Sequence, residues 1–161
     1  MRALQLSRIQ KLDILPASAY SFLEVYKPLT QTHTKLPIFE SLIPLGYPSP
    51  ADDYIDRQLD LNDMLIQNKL STFYLRVVGD SMKGCGIFNN ALIIVDKSKR
   101  PKDGNVVLAA INGEFTCKRL KIENRKVYLC PENKDYTDIL ITEDMNFLLW
   151  GVVTYAINPF S

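Results

Sequence analysis

A chain of 161 residues is long enough to bury one core without disulfides or a structural metal. Its 19 Lys and Arg against 18 Asp and Glu leave a net charge of +1, which excludes a whole-molecule basic field drawing it to nucleic acid or an anionic membrane; contact with DNA is expected to be indirect. Cys85, Cys117 and Cys130, odd in number and without CxxC spacing, together with a single histidine, His33, argue against a secreted disulfide framework and a metal site, and no cofactor is implied.

The N-terminal stretch MRALQLSRIQKLDILPASAY scatters charges among its apolar residues, so it lacks the unbroken apolar core of a signal peptide. No segment approaches membrane-spanning length, and a soluble, cytoplasmic protein is expected. Within it, Leu4, Leu6, Ile9 and Leu12 suit a short amphipathic helix. Residues 1–50 carry Pro16, Pro28, Pro37, Pro44, Pro48 and Pro50, a density that prevents long helices and central strands. We read 1–50 as an extended arm and 51–161 as the globular domain.

Ile55, Leu59 and Leu61 share one parity, which predicts a short half-buried strand. Asp60 is placed to cap a short helix after it, with Asp63 in its first turn and Leu61, Met64 and Leu65 at helical spacing. From Ser71 the pattern turns to β: TFYLRVV, ALIIVD, NVVLAAI, EFTCKRLKI, KVYLC and NFLLWGVVTYAI are runs rich in β-branched and aromatic residues. Turn chemistry separates them. Asn112-Gly113 is the strongest local signal, since both residues accept the positive φ of a type I′ hairpin. The fold class expected is mainly β, mostly antiparallel, with one short helix.

A two-residue turn there pairs Ile111 with Glu114 and, stepping outward, Val107 with Lys118. Lys118 shares a face with Thr116, Leu120 and Ile122, while Phe115 and Cys117 occupy the other, so parity does not settle which face is inside. Taken alone, Lys118 is an edge lysine whose stem packs while its head reaches water. Burial would change its chemistry: a lysine near pKa ~10.4 is neutral in only about one molecule in 2,500 at pH 7, whereas desolvation by ~3 units makes the free base abundant. A neutral amine beside a serine can take the hydroxyl proton and make a nucleophile, with no histidine needed. Ser81, in the tight turn VVGDSMKGCGIF, is by itself a common turn serine. Cys85 and Cys117, with no imidazole to activate them, read as packing residues.

The motifs LGYPSP (45–50), DLNDMLIQ (60–67), GDSM (79–82), LIIVD (92–96), GEFTCKRL (113–120), LCPEN (129–133) and GVV (151–153) resemble the LexA and UmuD self-cleaving family, its UmuD branch above all. Order and spacing agree from about Lys35 onward. The resemblance implies a compact LexA/UmuD-type β domain, Ser81 as nucleophile, Lys118 as general base, and a scissile bond between Leu45 and Gly46 in the arm. Backbone N–H groups of Asp80 and Ser81 would form the oxyanion hole. It also implies a homodimer, a UmuC-like lesion-bypass polymerase as partner, and the RecA filament as cleavage trigger in the SOS response. This chain departs from the family in two places. Leu45 is bulky where the family has Ala or Cys, and the first 34 or so residues lack a counterpart in the short UmuD arm. They are too short for a helix-turn-helix domain, so sequence-specific DNA binding is not expected. Two other functions stay open: a non-cleaving interaction module of the same fold, and a LexA-like or phage-type repressor.

Overall fold

The computed structural model describes residues 25–26, 34–39 and 55–160. The N-terminal amphipathic segment, most of the proline-rich arm, His33 and the Leu45–Gly46 bond lie outside the described residues. Among the described residues ten strands and one α-helix follow in chain order: β1 (Val25–Tyr26), β2 (Leu36–Phe39), β3 (Ile55–Leu59), α1 (Leu61–Leu65), β4 (Thr72–Arg76), β5 (Leu92–Asp96), β6 (Val106–Ile111), β7 (Glu114–Glu123), β8 (Lys126–Cys130), β9 (Ile139–Leu140) and β10 (Phe147–Ile157).

Eight strands form one antiparallel sheet in the order β1-β4-β5-β10-β6-β7-β8-β9, and β2 pairs with β3 in a separate ribbon. The six β runs expected from composition are all present. Sequence reasoning did not anticipate β9 or β1, each only two residues long and too short for an alternating pattern to register. At the far edge β1 pairs with β4, Val25 opposite Leu75 and Tyr26 opposite Tyr74.

Asp60 caps α1 as expected, its carboxylate accepting a 2.8 Å hydrogen bond from the Asn62 N–H. The strand before it stops at Leu59, because Leu61 already belongs to the helix, where it stands 53% exposed. Asn112 and Gly113 both have positive φ, 52° and 89°, and the hairpin places Ile111 opposite Glu114 and Val107 opposite Lys118.

Two core clusters lie on the two faces of the central strands. Val107 and Ala109 of β6 join Leu120, Val127, Leu129, Ile141 and Leu149, while Leu108 between them joins Leu75, Ile93, Val95 and Trp150. Because side chains alternate along a strand, β6 is buried on both sides. That is why the neighbouring β7 carries apolar residues at both parities. Trp150 anchors the second cluster, with Phe73 tilted at 5.2 Å and Phe115 edge-on at 6.1 Å. Lys97 covers the same indole, its Nζ 4.3 Å from the ring centre.

Candidate active site

Ser81 lies five residues beyond the end of β4, in the turn that leads into a single 3₁₀ turn at Lys83–Cys85. Met82 is buried and ties the turn to the second core cluster, and its carbonyl accepts from the N–H groups of Cys85 and Ile87. The Ser81 turn is also held from outside by the loop after β8. Glu132 N–H donates to the Ser81 carbonyl (2.8 Å), and Gly84 N–H donates to the Glu132 carbonyl (2.7 Å). At Gly84 a Cβ would stand 2.4 Å from the Glu132 carbonyl oxygen, so this approach admits only glycine.

Asp80 fastens the same junction. Its carboxylate accepts from Tyr136 Oη (2.6 Å) and Asn133 Nδ2 (3.3 Å), and its carbonyl accepts from Asn133 Nδ2 (3.2 Å). The Tyr136 hydrogen bond, aided by Lys83, holds the Asp80 carboxyl below its ordinary range and hence ionised. Arg119 pairs with Glu132 and donates to the Gly104 carbonyl, bracing the loop from β7. Residues 132–136 were not singled out from sequence as a clamp. Glu132 and Asn133 entered only through the LCPEN motif, and the fold shows that this loop closes on Asp80 and Ser81.

Lys118 comes from β7 and is 9% exposed. Its Nζ lies 2.8 Å from Ser81 Oγ, 3.0 Å from Thr116 Oγ1 and 3.0 Å from the Cys117 carbonyl oxygen. Burial pushes its pKa below the ordinary lysine value. The three oxygens match the three N–H bonds of the ammonium; in the free amine two N–H bonds would still donate to Thr116 and to the Cys117 carbonyl, leaving the lone pair for the Ser81 O–H. Thr116 was noted only as a neighbour on Lys118's face; its hydroxyl completes the set that aims the nitrogen.

The other nucleophile candidates are chemically quiet. Cys117 is pushed up to about 12 by burial, so it stays a thiol, and burial also raises Cys85, whose Sγ contacts the Met82 carbonyl. Ser81 and Lys118 lie in a cleft of about 500 Å³ whose apolar walls include Val77, Val78, Leu108 and Phe115. Of the groups expected to face an oxyanion, the Ser81 N–H has no acceptor among the described residues. Among the described residues no group of three or more His, Cys, Asp or Glu side chains gathers, and no helix is long and apolar enough to cross a membrane.

Comparison with known proteins converges on one family. Residues 37–154 match the sequence model described as Peptidase S24-like. Protein SamA of Salmonella typhimurium strain LT2 is 42% identical over 122 residues, which cover 76% of this chain and 84% of SamA. Protein ImpA of Escherichia coli is 38% identical over 122 residues, covering 76% of this chain and 83% of ImpA. LexA repressor 2 of Xanthomonas oryzae pv. oryzae is 30% identical over 138 residues, covering 84% of this chain and 62% of the repressor. The chain therefore belongs to the S24-like peptidase family, the LexA and UmuD group of self-cleaving serine peptidases.

Proposed function

We propose that this protein cuts its own arm between Leu45 and Gly46, with Ser81 as nucleophile and Lys118 as general base. The observation that carries the reading is the 2.8 Å approach of a buried lysine nitrogen, its pKa lowered by desolvation, to the serine hydroxyl. Ser81 Oγ attacks the Leu45 carbonyl carbon as its proton passes to Lys118 Nζ. The N–H groups of Ser81 and Asp80 receive the developing oxyanion. Collapse breaks the C–N bond, and Lys118 returns the proton to the Gly46 nitrogen. Water, deprotonated by the same amine, then hydrolyses the Ser81 ester, leaving a Leu45 carboxylate and a product that begins at Gly46.

The bulk of Leu45 is compatible with this chemistry, because the cleft is walled by Val77, Leu108 and Phe115 and is large enough for a leucine side chain. We place the activity in the SOS response, as the family relationship suggests. There the shortened protein, as a homodimer, would serve as accessory subunit to a UmuC-like lesion-bypass polymerase, with the RecA filament triggering cleavage. Its globular domain begins near residue 51.

Intact mass of the purified chain through a pH series tests the chemistry. Cleavage after Leu45 is expected to quicken as pH rises toward the lowered Lys118 pKa, level off above it, and disappear in Ser81→Ala. A chain that stays whole at every pH, with and without RecA filament, would instead establish the non-cleaving interaction module.

A further inference from the structure

A second cleft, of about 650 Å³, shares no lining residue with the dyad's cleft. It lies where β5 ends and β6 begins, beside the start of β4, since Thr72 pairs with Asp96 whereas Arg76, nearer Ser81, pairs with Leu92. Lys99, Arg100 and Lys102 supply its charge, Gln67 and Asn105 its neutral polar groups, and Tyr155 of β10 its aromatic surface. No carboxylate lines it, and among the described residues none comes within 4.0 Å of these three cationic groups. Lys99 Nζ donates to Gln67 Oε1, at 2.9 Å. Lys83, Lys121 and Arg119 are ion-paired elsewhere, whereas Arg100 and Lys102 are exposed without an ion pair and Lys99 has only the longer-range attraction of Asp96. Asn105 turns its side-chain oxygen to the Lys102 N–H, fixing the turn that presents Lys102.

The geometry points to a binding surface for the backbone of single-stranded nucleic acid, read without sequence preference. Exposed Arg100 and Lys102, with half-buried Lys99 beside them, suit backbone phosphates, and Tyr155, 38% exposed at the cleft wall, offers a ring on which a base stacks. An acidic peptide would satisfy the charges but has no use for the ring. A duplex holds its bases stacked inside and would leave the tyrosine idle. The near-zero net charge of the whole chain concealed this local excess of cations, since net charge sums over every residue and carries no position.

Anisotropy of a fluorescein-labelled oligothymidylate, titrated with the full chain at stepped salt, tests the assignment. Log affinity is expected to fall against log salt with a slope of about −2, from three phosphates at ~0.7 each. The combined Lys99→Gln, Arg100→Gln, Lys102→Gln variant should flatten that slope and weaken binding at low salt at least ~10-fold. Tyr155→Leu should weaken binding about 5-fold or more while leaving the slope unchanged. If the triple variant melts early, Arg100→Gln and Lys102→Gln singly should each remove about a third of the slope. Lys126→Gln, on β8, should leave binding intact. Absence of binding at low salt, a slope untouched by these changes, or equal or tighter binding of duplex or of polyglutamate would overturn the assignment. Because Ser81 and Lys118 lie outside this cleft, failure here leaves the self-cleavage reading standing, and the reverse also holds.

Discussion

Lys118 sits beneath Ser81 with its nitrogen enclosed by three oxygen atoms, whereas Arg100 and Lys102 extend their charges into water from the connection between β5 and β6. The side chains at the two clefts differ little in intrinsic chemistry. What differs is hydration. Removing water raises the free energy of the ammonium ion and turns a lysine into a base; leaving water in place keeps the charge and makes a ligand for anions. Packing explains the contrast, since β7 lies beside a strand with core on both faces, while the turn carrying residues 99–102 has core on neither.

Replacing Lys118 by Arg tests this contrast most severely. A guanidinium cannot surrender its proton near neutrality, so Lys118→Arg should lose self-cleavage by at least about 10⁴-fold, whereas Lys99→Arg should retain both cleavage and the salt slope. Single-turnover measurement by intact mass reads the first. Gly84→Ala ranks next. The new methyl meets the Glu132 carbonyl and must push the clamp from Ser81, so cleavage should slow about 10- to 100-fold, with stability falling by about 1–3 kcal/mol in urea titration. Thr116→Val removes one acceptor that aims the amine while keeping shape, and a loss of about 5- to 10-fold in cleavage is expected, matching roughly 1 kcal/mol.

The smallest effect concerns stability against pH. Lys118 has a folded pKa below its unfolded value, so between the two the unfolded chain holds more protons and stability rises with pH across that interval. Lys118→Met should abolish this rise and leave the variant more stable than the parent on the acidic side of the interval. Urea midpoints at pH 7 and pH 10 measure it. A parent midpoint that does not move relative to the variant would show that the amine is hydrated in solution.

Much of the β framework was legible because local rules act over few residues. Asn112-Gly113 accepts two positive φ angles, and from that turn the register placing Val107 opposite Lys118 followed by counting. Asp60 announced α1 in the same way. The polar clamp at Asn133 and Tyr136 was not legible, since its partners lie more than fifty residues away and no local pattern encodes that closure. The basic cleft was half visible: the run KSKRPK stands in the sequence, but whole-chain charge averages it away, and Tyr155 joins it only through the sheet.

By itself the sequence determined where strands begin and turn, which residues could serve as nucleophile and base, and, through its motifs, the family. It left open whether Lys118 faced core or water, because Phe115 and Cys117 on one parity and Leu120 and Ile122 on the other were equally apolar. Only the packed sheet decided that, by burying Lys118 with Leu120 and bringing the amine to Ser81. The reason is physical: strand period depends on neighbours along the chain, whereas hydration of a charge depends on everything that surrounds it in space.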